Sequence, residues 1–326
     1  MTKQRFFISG LVALLLLTAI MFFVSVLVLS PTNSQSTQTQ RFVVKRSESV
    51  NQIAERLTEA KLIKHPLVFR LVVWRNGLDK KIQAGSFELC PSMSVYQIAE
   101  RLTQGVDDLW LTFPEGLRVE EMADLVSEQV GLDEFDKADF LDQAKVKEGY
   151  LFPDTYLVPK TIGATDLLIL LTNTFEQKVE KGLAEQLTAS PKSLAEIITM
   201  ASLVQREAGS DEEEMAHIAG ILWNRIAAGQ GLAVDCTLQY LAGYNQELDS
   251  WWSPPAASLK TSNSQFNTYK FAGLPPTPIA NPGLAAIKAS LNPLTTDDFY
   301  YLHSEGKVYY AKTLAEHNAN VQKYLK

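Results

Sequence analysis

Glu207 closes an otherwise apolar helical run, Leu194 to Val204, in the stretch SLAEIITMASLVQREAG and is the residue of this chain best suited to acid–base chemistry. The charged form of a carboxylic acid is disfavoured beside so much aliphatic surface, so Glu207 could hold a proton near neutral pH and act as a general acid. The alternative is an ordinary solvated acid near a helix end. The local pattern leaves both interpretations open.

The stretch that leads to Glu207 predicts a helix beginning after Ser193. Ser193 followed three residues later by Glu196 is a capping box. Apolar residues at helical spacing form one predicted buried stripe: Leu194, Ile197, Ala201, Val204 and Ala208. At roughly 100° per residue, Glu207 falls roughly 80° from the centre of that stripe. We therefore expect it at the edge of the core, where a cleft can open.

A second capping box is predicted from Ser210 and Glu213, at the start of a helix that ends at Gly229. The acidic cluster 211–214 invites a metal interpretation, but carboxylates in a first helical turn are better explained by the helix dipole. The four histidines show no spacing typical of metal ligands. We predict neither a metal nor a cofactor.

The N-terminus carries an uncharged apolar run over residues 6–30. Such a run reaches roughly 37 Å as a helix, enough to span a hydrocarbon core of about 30 Å with some tilt. A cleaved signal peptide is the alternative, but this run is too long and no small-x-small cleavage site follows it. Lys3 and Arg5 precede the run, so the positive-inside rule keeps residues 1–5 in the cytoplasm. We predict a single-pass protein of the inner (cytoplasmic) membrane with its C-terminal domain in the periplasm or another extracytoplasmic space.

Composition narrows the function classes further. Residues 31–40, PTNSQSTQTQ, are polar and aperiodic, as expected of a flexible linker. A net charge of -7 argues against nucleic acid as a partner. For Cys90 and Cys236 one disulfide is conceivable in an oxidising compartment, but two buried free thiols are favoured.

An internal repeat follows the linker. SVNQIAERLT at 49–58 and SVYQIAERLT at 94–103 are identical at nine of ten positions, at an offset of 45 residues. A looser third copy, LRVEEMADLVSEQ, aligns its apolar residues with those of the second copy: Val119, Met122, Ala123 and Val126. Each copy predicts a short amphipathic helix.

Strand-like segments precede the three copies, at 41–46, 86–89 and 109–113, and a further helix is predicted at 66–75. The β-α-α-β unit from about 41 to 90 resembles a LysM module, a fold that binds glycans containing N-acetylglucosamine. A packing module that does not grip sugar is the alternative.

After residue 133 the pattern changes to longer helices and Pro- and Gly-rich loops, with a hairpin predicted in DFYYLHSEGKVYYAK. The predicted fold class is α+β. Its parts are a cytoplasmic tail (1–5), a single N-terminal transmembrane helix (6–30), a linker (31–40), a LysM-like βααβ module (41–110) and a larger α+β catalytic domain (111–326).

Five motifs agree in order and spacing with one family. They are EGYLFPDTY (148–156), ASLVQREA (201–208), WNRIAAGQGLAVDCTLQY (223–240), FNTYKFAGLPPTPIANPG (266–283) and KTLAEHNANVQKYL (312–325). With them the chain resembles the endolytic murein transglycosylases, the MltG or YceG-like family, along its whole length. The resemblance implies a membrane-anchored lyase that cuts peptidoglycan glycan strands internally and leaves 1,6-anhydro-N-acetylmuramic acid ends. Peptidoglycan synthases are partners that the family's role in wall assembly suggests.

The resemblance also assigns the catalytic acid, because the final acid of the family's A-S-[IL]-V-x-x-E-[AT] motif is Glu207 here. The chain departs from the family around Asp235 and Thr237, where it has Ala233, Val234 and Cys236 instead of Gln, Ser and Pro. It also has Phe266 and Val308 where Tyr and His are usual. These departures concern substrate preference and leave the acid in place.

A lytic transglycosylase can work with one carboxylate, whereas ordinary glycoside hydrolysis uses two. The C6 hydroxyl of the muramic acid attacks its own anomeric carbon, so one residue can protonate the leaving oxygen and then deprotonate that hydroxyl. The candidate substrate-binding residues are Asp235, Thr237, Asn267, Thr268 and Tyr269, which offer hydrogen-bonding groups and an aromatic face to a pyranose.

Several of these candidates have structural alternatives. Asp235 follows a Gly-rich loop and could line a cleft or serve the fold, whereas Asp154 is favoured as a turn or capping residue. Trp251 and Trp252 could stack on sugar or form a local core.

Other function classes remain as alternatives: a noncatalytic glycan-binding scaffold, a lysozyme-type hydrolase, and a hydrolase with Cys236 or Ser202 as nucleophile. No base accompanies either nucleophile in a recognisable arrangement.

Overall fold

The computed structural model describes residues 29–45, 47–104, 108–128 and 135–325. Within those ranges no helix has both the length and the apolar character needed to cross a bilayer. The predicted tail (1–5) and the predicted membrane helix (6–30), except for its last two residues, lie outside the described residues.

The described chain forms two compact units. The first takes in the residues up to Leu111 together with Tyr156–Lys160, and the second takes in Thr112–Thr155 and the residues from Thr161 onward. The sequence places a boundary near residue 110, but nothing in it indicates that the segment 156–160 returns to the first unit.

The first unit has the β-α-α-β order that the sequence predicts. Its elements are β1 (Gln40–Val44), α1 (Val50–Glu59), α2 (Pro66–Arg75), β2 (Gly85–Leu89), α3 (Val95–Arg101), β3 (Asp108–Thr112) and β4 (Thr155–Pro159). The strands form one sheet in the order β1-β2-β3-β4. β1 and β2 are antiparallel, with Gln40 opposite Leu89 and Val44 opposite Gly85.

The internal repeat encodes matching cap and core positions. Capping boxes open α1 at Ser49 and α3 at Ser94. Ile53 and Ile98, at the same position of the two copies, are both buried in the core of this unit. The repeated sequence therefore builds the same local structure twice, because its polar start satisfies the free amides of a helix while its apolar residues fill a core.

The polar stretch 31–40 corrects an expectation, because it is hydrogen-bonded within the first unit instead of forming a free tether. Thr32 Oγ1 donates to the carbonyl of Lys61 at 2.8 Å, and the amide of Asn33 donates to the carbonyl of Pro91 at 3.1 Å. Backbone hydrogen bonds satisfied in this way hold a segment that has no apolar side chains of its own.

The second unit is mostly helical. Its helices are α4 (Val119–Ser127), α5 (Lys137–Ala144), α6 (Ala164–Phe175), α7 (Ala184–Ala189), α8 (Leu194–Glu207), α9 (Glu212–Ala227), α10 (Asp235–Ala242), α11 (Leu284–Leu291) and α12 (Leu314–Tyr324). Short 3-10 turns lie at Lys145–Lys147 and Ala257–Thr261, and a π-helical turn, Glu176–Lys181, extends α6. The strands β5 (Tyr300–Ser304) and β6 (Lys307–Ala311) form the predicted antiparallel hairpin. The mixed α+β class is therefore confirmed.

α8 is the central helix of this unit and packs against α9 and α11. It begins at the predicted capping box of Ser193 and Glu196. Every residue from Ile197 to Val204 is buried, so the helix is covered all round over two turns and the expectation of a single stripe was too narrow. Its last turn reaches a less buried environment, and that turn carries Glu207.

The start of α9 corrects a second expectation. Its N-cap is Asp211, whose side chain accepts from the amides of Glu213 and Glu214 at 2.9 Å, so Ser210 does not cap it. An aspartate one residue later places a charged acceptor at the same free amides, which explains why it displaces serine.

Candidate active site

Glu207 is partly buried at the last position of α8, and two donors hold its carboxyl group. The hydroxyl of Tyr301, on β5, donates to Oε2 at 2.8 Å. The backbone amide of Cys236, in the first turn of α10, donates to Oε1 at a longer 3.4 Å. Hydrogen bonds from both sides fix the orientation of the carboxyl group.

Both neighbours are themselves neutral groups. Burial raises the pKa of the Tyr301 hydroxyl well above its ordinary value, and the adjacent Glu207 carboxylate raises it further. Burial likewise raises the pKa of the Cys236 thiol, again with a contribution from Glu207. Tyr301 therefore keeps its proton and remains a donor at any physiological pH.

A pocket of about 220 Å³ opens beside Glu207. The loop 232–234 forms one wall, and the polar and aromatic residues that line the rest are Glu207, Arg225, Asp235, Tyr269, Tyr300, Tyr301 and His317. These come from α8, α9, α10, β5, α12 and the loop before Gly273. Carboxylates, a cation and aromatic faces together are the groups expected around a sugar.

Two of the five predicted binding residues line this pocket, and they contact each other. Tyr269 donates its hydroxyl to Oδ1 of Asp235 at 2.7 Å. Burial raises the pKa of Tyr269, and the hydrogen bond to Asp235 adds to the shift. The pair places a carboxylate and an aromatic ring in the same pocket as Glu207.

The other three predicted binding residues lie behind the pocket, which corrects their expected placement. Thr237, Asn267 and Thr268 are each at most 1% exposed. The two threonine hydroxyls hydrogen-bond each other at 2.9 Å, and Asn267 Nδ2 donates to three backbone carbonyls of the 3-10 turn region. Their polar groups are used internally, so they shape the loop instead of facing a ligand.

Asp154, Trp251 and Trp252 make contacts with other side chains of the protein. Asp154 accepts from Lys178 at 2.6 Å and from the amide of Thr155. The Trp252 ring is covered by the Arg206 guanidinium at 3.8 Å, and its Nε1 donates to Glu121 at 2.9 Å. Trp251 packs on Tyr244 and faces a different cleft.

That other cleft is larger, at about 860 Å³, and is lined by acids, Tyr244 and Trp251. It does not contain Glu207. Size alone does not identify a reactive site, and the smaller pocket is the one that combines an oriented carboxyl group with neutral donors.

Sequence reasoning missed four residues of the Glu207 pocket: Arg225, Tyr300, Tyr301 and His317. Arg225 Cζ lies 5.3 Å from the centre of the Tyr300 ring, and the His317 ring stacks on that tyrosine with 5.4 Å between ring centres. Burial and the charge of Arg225 lower the pKa of His317, so the imidazole is neutral at neutral pH. The signal was present, since two of the five family motifs contain Arg225 and His317.

A buried acid was also missed. Glu148, the first residue of the EGYLFPDTY motif, is 5% exposed, and burial raises its pKa to about 8. Asn281 Nδ2 donates to Oε1 of Glu148 at 3.0 Å, while Asn281 Oδ1 accepts from the amides of Gly149 and Leu151. Asn281 thus joins the two motif segments through its side chain.

The candidate nucleophiles are unsuited to that role. Ser202 is fully buried, and its hydroxyl donates to the carbonyl of Thr199 at 2.7 Å and accepts from the amide of Ile279. Cys236 is a buried free thiol, as is Cys90, in agreement with the sequence. The raised pKa of Cys236 keeps it protonated, and a protonated thiol is a weak nucleophile.

The YceG-like family model matches residues 42–323. The chain belongs to the YceG-like family. It is 29% identical to a Streptococcus pneumoniae (strain D39) protein named endolytic murein transglycosylase, over 99% of this chain and 65% of that relative. A Bacillus subtilis (strain 168) protein of the same name is also 29% identical, over 91% of this chain and 88% of its own length.

A YceG-like protein of Listeria monocytogenes has a crystal structure that matches this fold with a TM-score of 0.59 at 28% identity, over 87% of this chain and 99% of that one. The chain spans about two thirds, 65%, of the length of the pneumococcal relatives. The predicted family membership is confirmed, and the YceG-like motifs fall on the walls of the Glu207 pocket and on the buried Glu148–Asn281 contact.

Proposed function

We propose that this YceG-like chain is a membrane-anchored peptidoglycan lytic transglycosylase, a lyase that cuts glycan strands internally between N-acetylmuramic acid and N-acetylglucosamine. Its products would carry 1,6-anhydro-N-acetylmuramic acid ends, and the reaction would terminate strands during wall assembly. The names of the Streptococcus and Bacillus relatives support this function.

In the first half of the reaction Glu207 acts as the general acid. It gives its proton to the glycosidic oxygen while the bond from the anomeric carbon to that oxygen breaks. Tyr301 and the amide of Cys236 hold the carboxyl group in place, and their hydrogen bonds stabilise the carboxylate that remains after the proton has left.

In the second half that carboxylate acts as the base. It takes the proton of the C6 hydroxyl as this oxygen bonds to the anomeric carbon, which closes the anhydro ring and restores the acid. No water enters the product. Because the attacking hydroxyl belongs to the same sugar, the step is intramolecular and needs no second catalytic carboxylate.

The observation that carries this proposal is the Glu207 carboxyl group, fixed by two donors of neutral residues in an aromatic-lined pocket. A noncatalytic scaffold would not require an oriented acid at that position. The test is incubation of the purified chain with peptidoglycan, followed by mass analysis of the released fragments.

A muramidase that adds water is the second candidate, because Asp235 places another carboxylate in the same pocket. Ordinary glycoside hydrolysis uses two such groups. The hydrogen bond from Tyr269 already occupies one oxygen of Asp235, which favours a positioning role for it. The two candidates differ by one water in the mass of the released ends.

Location and accessory binding are further parts of the proposal. The apolar run and the charges of Lys3 and Arg5 support a single membrane span with both units on the extracytoplasmic side. The β-α-α-β order of the first unit supports a LysM-like module that engages glycan. Peptidoglycan strands are the substrate, and peptidoglycan synthases are the protein partners that this activity would serve.

A further inference from the structure

The second helix of the first unit, α2, has an apolar stripe that faces solvent. Leu67, Leu71 and Trp74 are 59%, 59% and 76% exposed. At roughly 100° per residue they fall within an arc of roughly 60° on one side of the helix. The opposite side packs into the core through Phe69, Val72 and Val73. Three large apolar side chains in a row on a helix surface are unusual in water.

Cations border this stripe. Arg70 and Arg75 fall roughly 60° and 80° to either side of Leu67 on the helical wheel. Lys61 and Lys64 precede α2, and no acidic residue occurs from Lys61 to Leu78. The segment is basic in a chain whose net charge is -7. An apolar stripe with a tryptophan and flanking Arg and Lys is typical of a helix lying in a membrane interface.

The path of the chain connects this helix to the predicted membrane helix. Lys64, two residues before α2, donates from Nζ to Oγ of Ser30 at 2.7 Å. Thr32 donates to the carbonyl of Lys61 at 2.8 Å. Because the predicted membrane helix ends at Ser30, these contacts tie the start of α2 to the point where the chain leaves the bilayer.

We propose that the stripe Leu67–Leu71–Trp74 of α2 is a bilayer-contact surface, seated in the extracytoplasmic interface of an anionic membrane. Its side chains enter the boundary between headgroups and acyl chains, and Arg70 and Arg75 pair with lipid phosphates. A second copy of the chain fits this surface poorly, because two α2 helices would place their cations against each other with no acid to offset them. The surface rests on the proposed anchor and is independent of the proposed catalysis.

Fluorescence of the full chain in vesicles tests this surface. The vesicles contain phosphatidylglycerol and phosphatidylcholine brominated close to the headgroup end of its acyl chains, since bromine quenches tryptophan only at short range. We expect quenching of the unsubstituted chain and loss of most of it in Trp74→Phe. Trp223→Phe is the matched control, because Trp223 packs within the second unit and donates to the carbonyl of Ser290. The fluorescence intensity that bromine removes should be the same in this variant as in the unsubstituted chain.

Equal quenching in the unsubstituted chain and in Trp74→Phe would contradict the proposal that this stripe contacts the bilayer. So would fluorescence that responds to protein concentration and not to bromine, which would assign the stripe to a second copy. A chain that does not float with the vesicles would contradict both the anchor and the surface. Fragment release from peptidoglycan, measured on the same preparations, reports separately on the catalytic proposal.

Discussion

Tyr301 and Glu207 are 94 residues apart in sequence and share a hydrogen bond of 2.8 Å from the tyrosine hydroxyl to the glutamate carboxylate. The bond joins the C-terminal hairpin to the end of α8, whose residues from Ile197 to Val204 are all buried. It places a protonated donor at the group that, in the proposed reaction, loses and regains a proton. The reactivity of Glu207 therefore depends on the hairpin as well as on its own helix.

Tyr301→Phe should slow cleavage by about 10- to 100-fold, because a hydrogen bond to a charged group is worth roughly 1.5 to 3 kcal/mol. The loss should fall on kcat, because the hydroxyl of Tyr301 donates to the carboxylate that forms when the proton is transferred. Separate measurement of kcat and KM on purified peptidoglycan checks this.

Tyr309→Phe serves as the control for this change. Tyr309 lies on β6 and stacks on Tyr324, with no contact to Glu207. If Tyr309→Phe slowed cleavage as much as Tyr301→Phe, the loss would come from a weakened hairpin and not from the contact with Glu207.

The Asp235–Tyr269 contact should act as one unit. Removing the carboxylate with Asp235→Asn or the donor with Tyr269→Phe breaks the same hydrogen bond, so the double variant should be little worse than either single variant. KM for glycan strands should rise more than kcat falls. Losses of activity that add up in the double variant would instead favour the two-carboxylate muramidase. So would a fall of kcat in Asp235→Asn as large as that expected when a catalytic carboxylate is removed.

Glu148 should make stability depend on pH. Its pKa is raised by burial from 4.5 to about 8, so between these values the folded chain holds a proton that the unfolded chain has released. The free energy of unfolding therefore falls as pH rises across this window, by roughly 1.4 kcal/mol per pH unit from this group, and levels off above pH 8.

Glu148→Gln should flatten that dependence, which denaturant unfolding between pH 5 and pH 9 can measure. Glu128, which is exposed at the end of α4, gives the matched control Glu128→Gln. A slope that persists unchanged in Glu148→Gln would show that other groups cause it.

The proposed topology makes a separate prediction. A reporter that requires export should be active when fused after Lys326, because Lys3 and Arg5 precede the apolar run and the positive-inside rule favours a cytoplasmic N-terminus. Activity of a reporter that works only in the cytoplasm would reverse the orientation.

The local parts of this structure follow from the sequence. The amphipathic pattern of the repeat predicts α1 and α3, and the capping box of Ser193 with periodic apolar residues predicts α8. Alternating aromatic residues predict the hairpin. These signals act over a few residues, where propensity and free amide groups decide the outcome. Glu207 is likewise predicted from its own segment, because the apolar run and the family motif that surround it are both local.

Long-range relationships do not follow in the same way. Nothing local tells that Tyr301 reaches Glu207, or that Thr237, Asn267 and Thr268 turn inward while Tyr269 turns outward. Burial of a particular polar side chain depends on which distant segment packs over it. Glu148 illustrates this, since an acid in a Gly- and Pro-containing motif is expected at the surface, whereas the distant Asn281 packs against it in the interior.

Cleavage of purified peptidoglycan by the Glu207→Gln variant is the measurement that tests the central claim most directly. The amide keeps the shape of the side chain but has no proton to transfer, so the variant should fold and its cleavage of purified peptidoglycan should fall by about 10² to 10⁴. Glu196→Gln, in the exposed capping box of the same helix, should cleave normally. The unsubstituted chain should release fragments with anhydro-N-acetylmuramic acid ends, one water lighter than hydrolysed ends. Normal cleavage by Glu207→Gln, or ends that carry the added water, would contradict the account.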